Sequence, residues 1–145
     1  MKNTTFTLLF LIILGTISSC KEKIAPSGAI VNGNYTENLR TAKKWINGKW
    51  NLVAVVASVP NPHVPNVQLI VNNRQITVIE DGKQIDKVNY EIIQTLYAFQ
   101  LKTTAKPRSD NWYVRNPALQ ISENKMFLDL GSASDFPAFT FERVK

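Results

Sequence analysis

The stretch VQLIVNNRQITVIEDGKQIDKVNYEIIQ, residues 67–94, decides the fold class of this chain. It contains three runs in which apolar and polar side chains largely alternate, at 67–71, 75–80 and 85–94. Such alternation puts one face of a strand in the core and the other in solvent. Asn72-Asn73 and Asp81-Gly82 separate the runs, and these residue types suit tight hairpin turns. The stretch therefore predicts three consecutive antiparallel strands.

Five further short runs of the same kind flank this stretch. They are Lys49–Val59, Leu96–Thr103, Ala118–Ser122, Met126–Leu130 and Ala138–Val144. Eight strands joined mostly by local turns, each with one apolar face, must close on themselves or pack as two sheets. We therefore predict an all-β fold, an eight-stranded antiparallel up-and-down barrel, because local connections do not favour a Greek key. A β-sandwich is the alternative.

A short helix is predicted before the first strand, at residues 36–46 (TENLRTAKKWI). Thr36 is the expected N-cap, and two lysines near the C-terminal end match the helix dipole. Asn47-Gly48 ends the helix. The predicted barrel domain, including this helix, covers residues 36–145, and a length of 145 residues suits one such domain.

The first nineteen residues have the layout of a secretory signal. A lysine at position 2 precedes the apolar block FTLLFLIIL, residues 6–14, and small or short residues follow it. The block is well short of the roughly 20 residues that span a bilayer. Residues 1–19 are therefore predicted to be a signal peptide that is removed.

The tetrapeptide Ile17-Ser18-Ser19-Cys20 resembles the lipobox of bacterial lipoproteins, in which an aliphatic residue and two small residues precede a cysteine. The resemblance implies cleavage before Cys20, lipidation of Cys20 and attachment to a membrane through acyl chains. Residues 20–35 would then be the lipidated cysteine and a flexible tether. Lys21 stands where an aspartate often directs inner-membrane retention, which implies an outer-membrane lipoprotein of the cell envelope, facing the periplasm or the surface. The alternative is a plain secretory signal that contains a cysteine.

Composition argues against a nucleic-acid partner, a disulfide, a metal site and an enzymatic activity. The chain has 17 basic and 11 acidic residues, for a net charge of +6, but no dense basic run outside Lys43-Lys44, so no nucleic-acid partner is expected. Its single cysteine excludes an internal disulfide and a Cys-based zinc site, and its single histidine, His63, excludes a His-based metal cluster. Without a Gly-x-Ser-x-Gly elbow, phosphate loop or zinc-protease motif, the sequence predicts neither an enzyme nor a cofactor.

Gly48-Lys49-Trp50, at the start of the first predicted strand, resembles the Gly-x-Trp signature of lipocalins. The wider pattern, with GKWNLVAV at 48–55, LQISENKMFLDLG at 119–131 and FTFERV at 139–144, is similar to lipocalin-like domains of Bacteroidota lipoproteins. The resemblance implies a lipocalin-like barrel with Arg143 over the Trp50 ring at its closed end, and with Gly48 allowing a close approach of the helix. These three residues are expected to be structural. The chain is shorter than typical lipocalins and lacks their disulfide and C-terminal helix, so its interior has less room.

Two long loops are expected at the open mouth of such a barrel, because the first and fifth connections of an up-and-down barrel share an end. The first loop, Ser58–Asn66, holds three prolines and His63, and the second is Thr104–Pro117. Residues of these loops and inward aromatic residues of the strands form the predicted ligand-binding set, His63, Tyr90, Tyr97, Phe99, Trp112, Tyr113 and Arg115. The alternative is that the aromatic residues simply fill and cover the core.

Two functions remain open from the sequence. The first is a membrane-anchored lipocalin-like module that binds a small hydrophobic or amphipathic ligand at the cell envelope. The second is a structural or protein-interaction lipoprotein with a filled barrel, an enzyme inhibitor being one case of it. A cavity between the two loops would favour the first function. A packed interior with an exposed apolar patch would favour the second.

Overall fold

Eight antiparallel strands close into a barrel in the computed structural model, which describes residues 34–106 and 116–145. Each strand pairs with the next in sequence, and the last pairs back with the first. The predicted up-and-down barrel is confirmed, and the sandwich alternative is wrong. The strands are β1 (Gly48–Val56), β2 (Val67–Asn72), β3 (Gln75–Glu80), β4 (Lys83–Gln94), β5 (Phe99–Thr103), β6 (Ala118–Ile121), β7 (Lys125–Asp129) and β8 (Ala138–Arg143).

Two tight hairpin turns explain why β2, β3 and β4 pair in order. Each turn has two central residues, Asn73-Arg74 in the first and Asp81-Gly82 in the second. Their φ angles are 48° and 63° in the first turn and 50° and 77° in the second. Two successive positive φ values are typical of the type I′ turn, whose twist matches that of the strands it joins. The first turn therefore lies one residue later than the predicted Asn72-Asn73.

The predicted helix forms before β1, but it is shorter than expected. This helix, α1, spans Leu39–Trp45, and its N-cap is Asn38, whose side chain accepts a hydrogen bond from the Thr41 N–H at 3.1 Å. The prediction of Thr36 as N-cap is wrong. The Thr36 N–H donates instead to the Ile121 carbonyl at 2.9 Å, which holds this part of the chain against the end of β6.

The helix closes one end of the barrel. Ala42 and Ile46 are fully buried in the hydrophobic core, and Leu39 and Trp45 pack partly against it. We call this end the closed end; it also carries the β2–β3, β4–β5 and β6–β7 turns. The opposite end, with the β1–β2, β3–β4, β5–β6 and β7–β8 connections, is called the mouth.

Inward-facing side chains from all eight strands form one hydrophobic cluster with the helix. Strand members of this cluster with less than 2% of their surface exposed are Trp50, Val71, Val78, Ile92, Leu101, Leu119, Ile121, Met126, Leu128 and Phe141. These residues recur at every second position of their strands, because successive side chains of a strand point to opposite faces. The barrel interior is thus built mainly from apolar side chains.

Phe127 is a large apolar residue outside this alternation. It lies between the inward Met126 and Leu128 on β7 and pairs with Gln120 and Thr140 on the neighbouring strands, so its side chain points to the outer face. It is nevertheless only 2% exposed, and it does not belong to the core cluster. The outer face of the barrel around β7 is therefore covered.

Candidate functional site

Arg143 holds the closed end together. It pairs directly with Trp50 across β1 and β8, and its guanidinium carbon lies 4.2 Å from the centroid of the Trp50 ring. Its Nε donates to the Glu123 carbonyl at 2.5 Å, its Nη1 to the Asn47 carbonyl at 2.8 Å, and its Nη2 to the Trp45 carbonyl. Two of these carbonyls lie at the C-terminal end of α1, where a positive charge is favourable. One side chain thus joins the helix, β1, β8 and the β6–β7 turn.

The residues around Arg143 leave space for its side chain and affect its pKa. Partial burial lowers the pKa of the Arg143 guanidinium, and the Glu123 carboxylate partly offsets this, but an arginine remains charged at neutral pH. Gly48 adopts a φ of 137°, and a Cβ at this position would collide with the Arg143 guanidinium. Trp50 is fully buried, and its indole N–H donates to the Ile46 carbonyl at 2.8 Å. Gly48, Trp50 and Arg143 therefore pack together and close this end of the barrel interior.

Of the three strand aromatics predicted to line a cavity, Phe99 and Tyr90 face inward and Tyr97 does not. Phe99 is buried in the core cluster, and Tyr90 is half-buried against it. Tyr97 is 80% exposed, which corrects the expectation that it faces the interior. The predicted strand from Leu96 begins only at Phe99, so the alternation does not extend back to Tyr97.

The hydroxyl of Thr95 is the cause of this difference. It accepts hydrogen bonds from the N–H groups of Tyr97 at 3.3 Å and Ala98 at 3.1 Å, and it donates to the Ala98 carbonyl at 2.8 Å. Threonine hydroxyls often stabilise turns in this way, so Thr95 was the signal available in the sequence. The turn projects Leu96 and Tyr97 into solvent at the closed end, which the alternation of the sequence does not predict.

Two inward-facing side chains bring hydroxyl groups to the β4–β5 wall. Tyr90 and Thr103 pair directly across these strands. The Thr103 hydroxyl is buried and has no hydrogen-bond partner among residues 34–106 and 116–145. Burial raises the pKa of Tyr90, and the positive charge of Arg74 partly opposes this. An unpaired buried hydroxyl costs about 1–3 kcal/mol, so this wall favours a polar partner for Thr103.

The β1–β2 loop, residues 57–66, stands at the mouth and contains His63, which is exposed. Its ends are fastened to the neighbouring connections. Ser58 Oγ donates to the Asp135 carbonyl at 3.3 Å, and the Asp81 N–H donates to the Asn66 carbonyl at 3.0 Å. With three prolines between these ties, the loop has little conformational freedom to lose on binding.

The β7–β8 loop beside it is organised by Asp129. The Asp129 carboxylate accepts hydrogen bonds from the N–H groups of Gly131 at 2.8 Å and Ser132 at 2.6 Å, and from the Ser132 hydroxyl at 3.1 Å. This carboxylate therefore has a structural role in shaping the loop. The loop places Phe136, which is partly exposed, near the β1–β2 loop.

An open groove of about 330 Å³ lies beside β4, where the β5–β6 connection leaves the barrel. Its lining residues are Asp86, Lys87, Val88, Thr104, Ala105 and Lys106. Charged and small residues predominate in this lining, and neither His63 nor an aromatic residue takes part. The groove therefore differs from the aromatic cavity between two loops that the sequence predicted.

Several predicted site residues lie outside the described residues. They are the lipidation site Cys20 and the loop residues Trp112, Tyr113 and Arg115. Within residues 34–106 and 116–145, no cluster of three or more His, Cys, Asp or Glu side chains could hold a metal ion. In the same part of the chain, no helix has the length and apolar character needed to cross a membrane.

Comparison of the chain with protein-family models, with curated proteins and with solved structures found no match.

Proposed function

We propose that this chain is a lipid-anchored β-barrel of the bacterial cell envelope that binds a protein partner through the rim of its mouth. The observation that carries the proposal is the contrast between the interior and the rim. Inward side chains, Trp50 and Phe141 among them, form one buried apolar cluster, whereas valines are exposed at the mouth. This packing favours a function carried by the surface of the barrel.

The rim has the features of a protein-binding surface. Val59 and Val64 on the proline-containing β1–β2 loop are exposed at the mouth, as are Val56 at the end of β1 and Phe136 on the β7–β8 loop. Apolar side chains on an ordered loop gain area on binding while losing little entropy, which is how rigid inhibitor loops reach high affinity. The proposal includes attachment of the chain at Cys20 and assigns no reaction to it.

Photo-crosslinking in the cells that make the protein tests this proposal. A photo-reactive amino acid at Val64, which is 40% exposed at the mouth, is compared with one at Val53, which is 43% exposed on the barrel wall. We expect a discrete cross-linked protein from Val64 only, and its loss when Val59→Asp is added. Equal cross-linking from both positions, or a Val64 product that Val59→Asp leaves unchanged, contradicts partner binding at the rim.

A second function is favoured by one specific observation, the buried Thr103 hydroxyl on the β4–β5 wall. Together with the half-buried Tyr90, it offers hydrogen-bonding groups to the polar end of a small amphipathic molecule lying among apolar side chains. Under this alternative, Thr103→Val and Tyr90→Phe lower the affinity for such a molecule without unfolding the barrel. Under the rim proposal, neither substitution affects partner binding.

A further inference from the structure

The outer side of α1 carries a basic surface. Arg40, Lys43 and Lys44 are exposed, and their i, i+3 and i+4 spacing puts them on one face of the helix. The opposite face buries Ala42 and Ile46 in the barrel core. The three positive charges therefore lie on the outer surface of the closed end and point away from the barrel.

Other charges at the closed end reinforce this surface. Arg74 in the β2–β3 turn and Lys49 near the start of β1 are also exposed. Among the described residues of α1, its flanks, the closed-end turns and the adjoining strand ends, the carboxylates are those of Glu37, Glu123 and Glu142, and Glu142 pairs with Lys125 at 3.6 Å. The closed end therefore has a local excess of positive charge. This charge complements an anionic surface.

The same end exposes two large apolar side chains. Leu96 is 92% exposed and Tyr97 is 80% exposed, at the tip of the β4–β5 turn. α1 packs against β4, which leads into this turn, so the basic and apolar features lie at the same end. An aliphatic and an aromatic side chain beside lysines and arginines are typical of surfaces that dip into the headgroup region of a bilayer.

The chain also reaches the barrel at this end. The Thr36 N–H binds the Ile121 carbonyl at the closed end of β6, and α1 follows. Between Cys20 and the first described residue, Asn34, lie 13 residues (21–33), which span at most roughly 45 Å. A lipid on Cys20 would therefore keep the closed end within roughly 45 Å of the membrane.

We infer that the closed end binds anionic phospholipid headgroups, and that Leu96 and Tyr97 insert among these headgroups. The residues that contact the headgroups are Arg40, Lys43, Lys44, Lys49 and Arg74. This contact orients the barrel with its mouth away from the membrane. The inference rests on the proposed membrane attachment of the chain, but its test does not, because the chain that is tested lacks Cys20.

Vesicle binding tests the inference. The chain from Lys21 onward contains α1 and all eight strands, whose sheet closes through the β8–β1 pairing, so it holds the complete fold. We expect it to bind vesicles of phosphatidylcholine mixed with phosphatidylglycerol, to bind phosphatidylcholine vesicles far more weakly, and to lose affinity as salt is raised. Equal binding to both kinds of vesicle, or binding that salt leaves unchanged, overturns the inference.

Matched double variants separate this surface from net charge. Removal of one basic residue at an anionic surface costs about fivefold in affinity, so Lys43→Gln with Lys44→Gln should weaken binding roughly 25-fold. Lys83→Gln with Lys106→Gln makes the same charge change at the mouth and should leave binding nearly unchanged. Equal losses in the two double variants, each confirmed as folded by circular dichroism, overturn the inference.

A second matched pair tests the apolar tip. Leu96→Ser with Tyr97→Ser should lower the affinity for the mixed vesicles roughly tenfold, because both side chains leave water on binding. Val59→Ser with Val64→Ser, at the mouth, should leave vesicle binding nearly unchanged. A larger loss of vesicle binding from the mouth variant than from Leu96→Ser with Tyr97→Ser overturns the proposed orientation. Partner binding at the rim is tested separately, by photo-crosslinking.

Discussion

The guanidinium of Arg143 lies 4.2 Å from the centroid of the Trp50 ring, directly across the pairing of β8 with β1. The same guanidinium donates to carbonyls of Trp45, Asn47 and Glu123, so it joins the last strand to the helix and to the β6–β7 turn. Removal of the side chain would leave three carbonyls without their donor and the tryptophan ring without its cover. The closed end therefore depends on one residue near the end of the barrel sequence.

We predict that Arg143→Ala lowers the free energy of unfolding by about 2 kcal/mol or more, because hydrogen bonds from a charged donor are lost together with the cation–π contact. Arg143→Lys should recover less than half of this loss, since an ammonium group cannot reproduce the planar arrangement of donors. Urea unfolding followed by tryptophan fluorescence measures both. Lys125→Ala is the control; it removes only the exposed ion pair with Glu142 at 3.6 Å and should cost no more than about 0.5 kcal/mol. A full recovery by lysine would show that charge alone matters at this position.

Gly48 and Gly82 form a matched pair, because both have positive φ but only one faces Arg143. A Cβ at Gly82 meets no atom within 4 Å, so Gly82→Ala should cost only the backbone strain of a left-handed residue, about 1 kcal/mol. Gly48→Ala should cost at least about 1 kcal/mol more, because the new methyl group displaces the guanidinium. In an Arg143→Ala background the difference between the two should shrink. An undiminished difference in that background would mean that the collision with Arg143 is not its cause.

Phe127 and Tyr97 provide a second comparison, between two aromatic residues that both point away from the core. Phe127→Ala should destabilise the barrel by about 3 kcal/mol, since the ring is almost completely buried on the outer face. Tyr97→Ala should change the free energy of unfolding by less than about 0.5 kcal/mol, since the ring lies in solvent. Equilibrium urea unfolding distinguishes these outcomes. Similar small costs for both would contradict the burial of Phe127.

Alkaline pH should destabilise the fold through Tyr35 and Tyr90. Burial raises the pKa of both hydroxyls above the value of 10.0 for an unperturbed tyrosine. The unfolded chain therefore ionises first, so the free energy of unfolding falls as the pH rises past about 10. Tyr90→Phe should make this fall shallower, which unfolding curves across that pH range can measure. A slope that is the same with and without the Tyr90 hydroxyl would contradict this contribution.

The barrel itself could be predicted because its information is local. Alternation along each strand and hairpin residues such as Asp81-Gly82 specify which neighbours pair, and local antiparallel pairing of eight strands leaves few closed arrangements. The contact of Arg143 with Trp50 could be anticipated from the Gly-x-Trp resemblance. Sequence spacing alone would not have revealed it, since the two residues lie at opposite ends of the barrel sequence.

The wrong expectations arise where a local pattern competes with another contact. Thr36 and Asn38 are both good N-cap residues, and the choice depends on the bond from Thr36 to Ile121, far away in sequence. In the sequence, Tyr97 continues the apolar–polar alternation of β5. In the structure, hydrogen bonds to the Thr95 hydroxyl form a turn that includes Tyr97, before the strand begins. The volume of the barrel interior cannot be predicted from the sequence either, because the pattern of strand faces does not determine the stagger of the strands, and the stagger sets the radius of the barrel.

Native mass spectrometry of the chain from Lys21 onward tests most directly whether the barrel acts from its surface. After incubation with a lipid extract of the cell envelope, a filled barrel predicts the mass of the polypeptide alone, or lipid adducts that Lys43→Gln with Lys44→Gln removes. A discrete added mass that persists in that double variant but disappears with Thr103→Val would contradict the account. It would place a small ligand inside the barrel, at the β4–β5 wall.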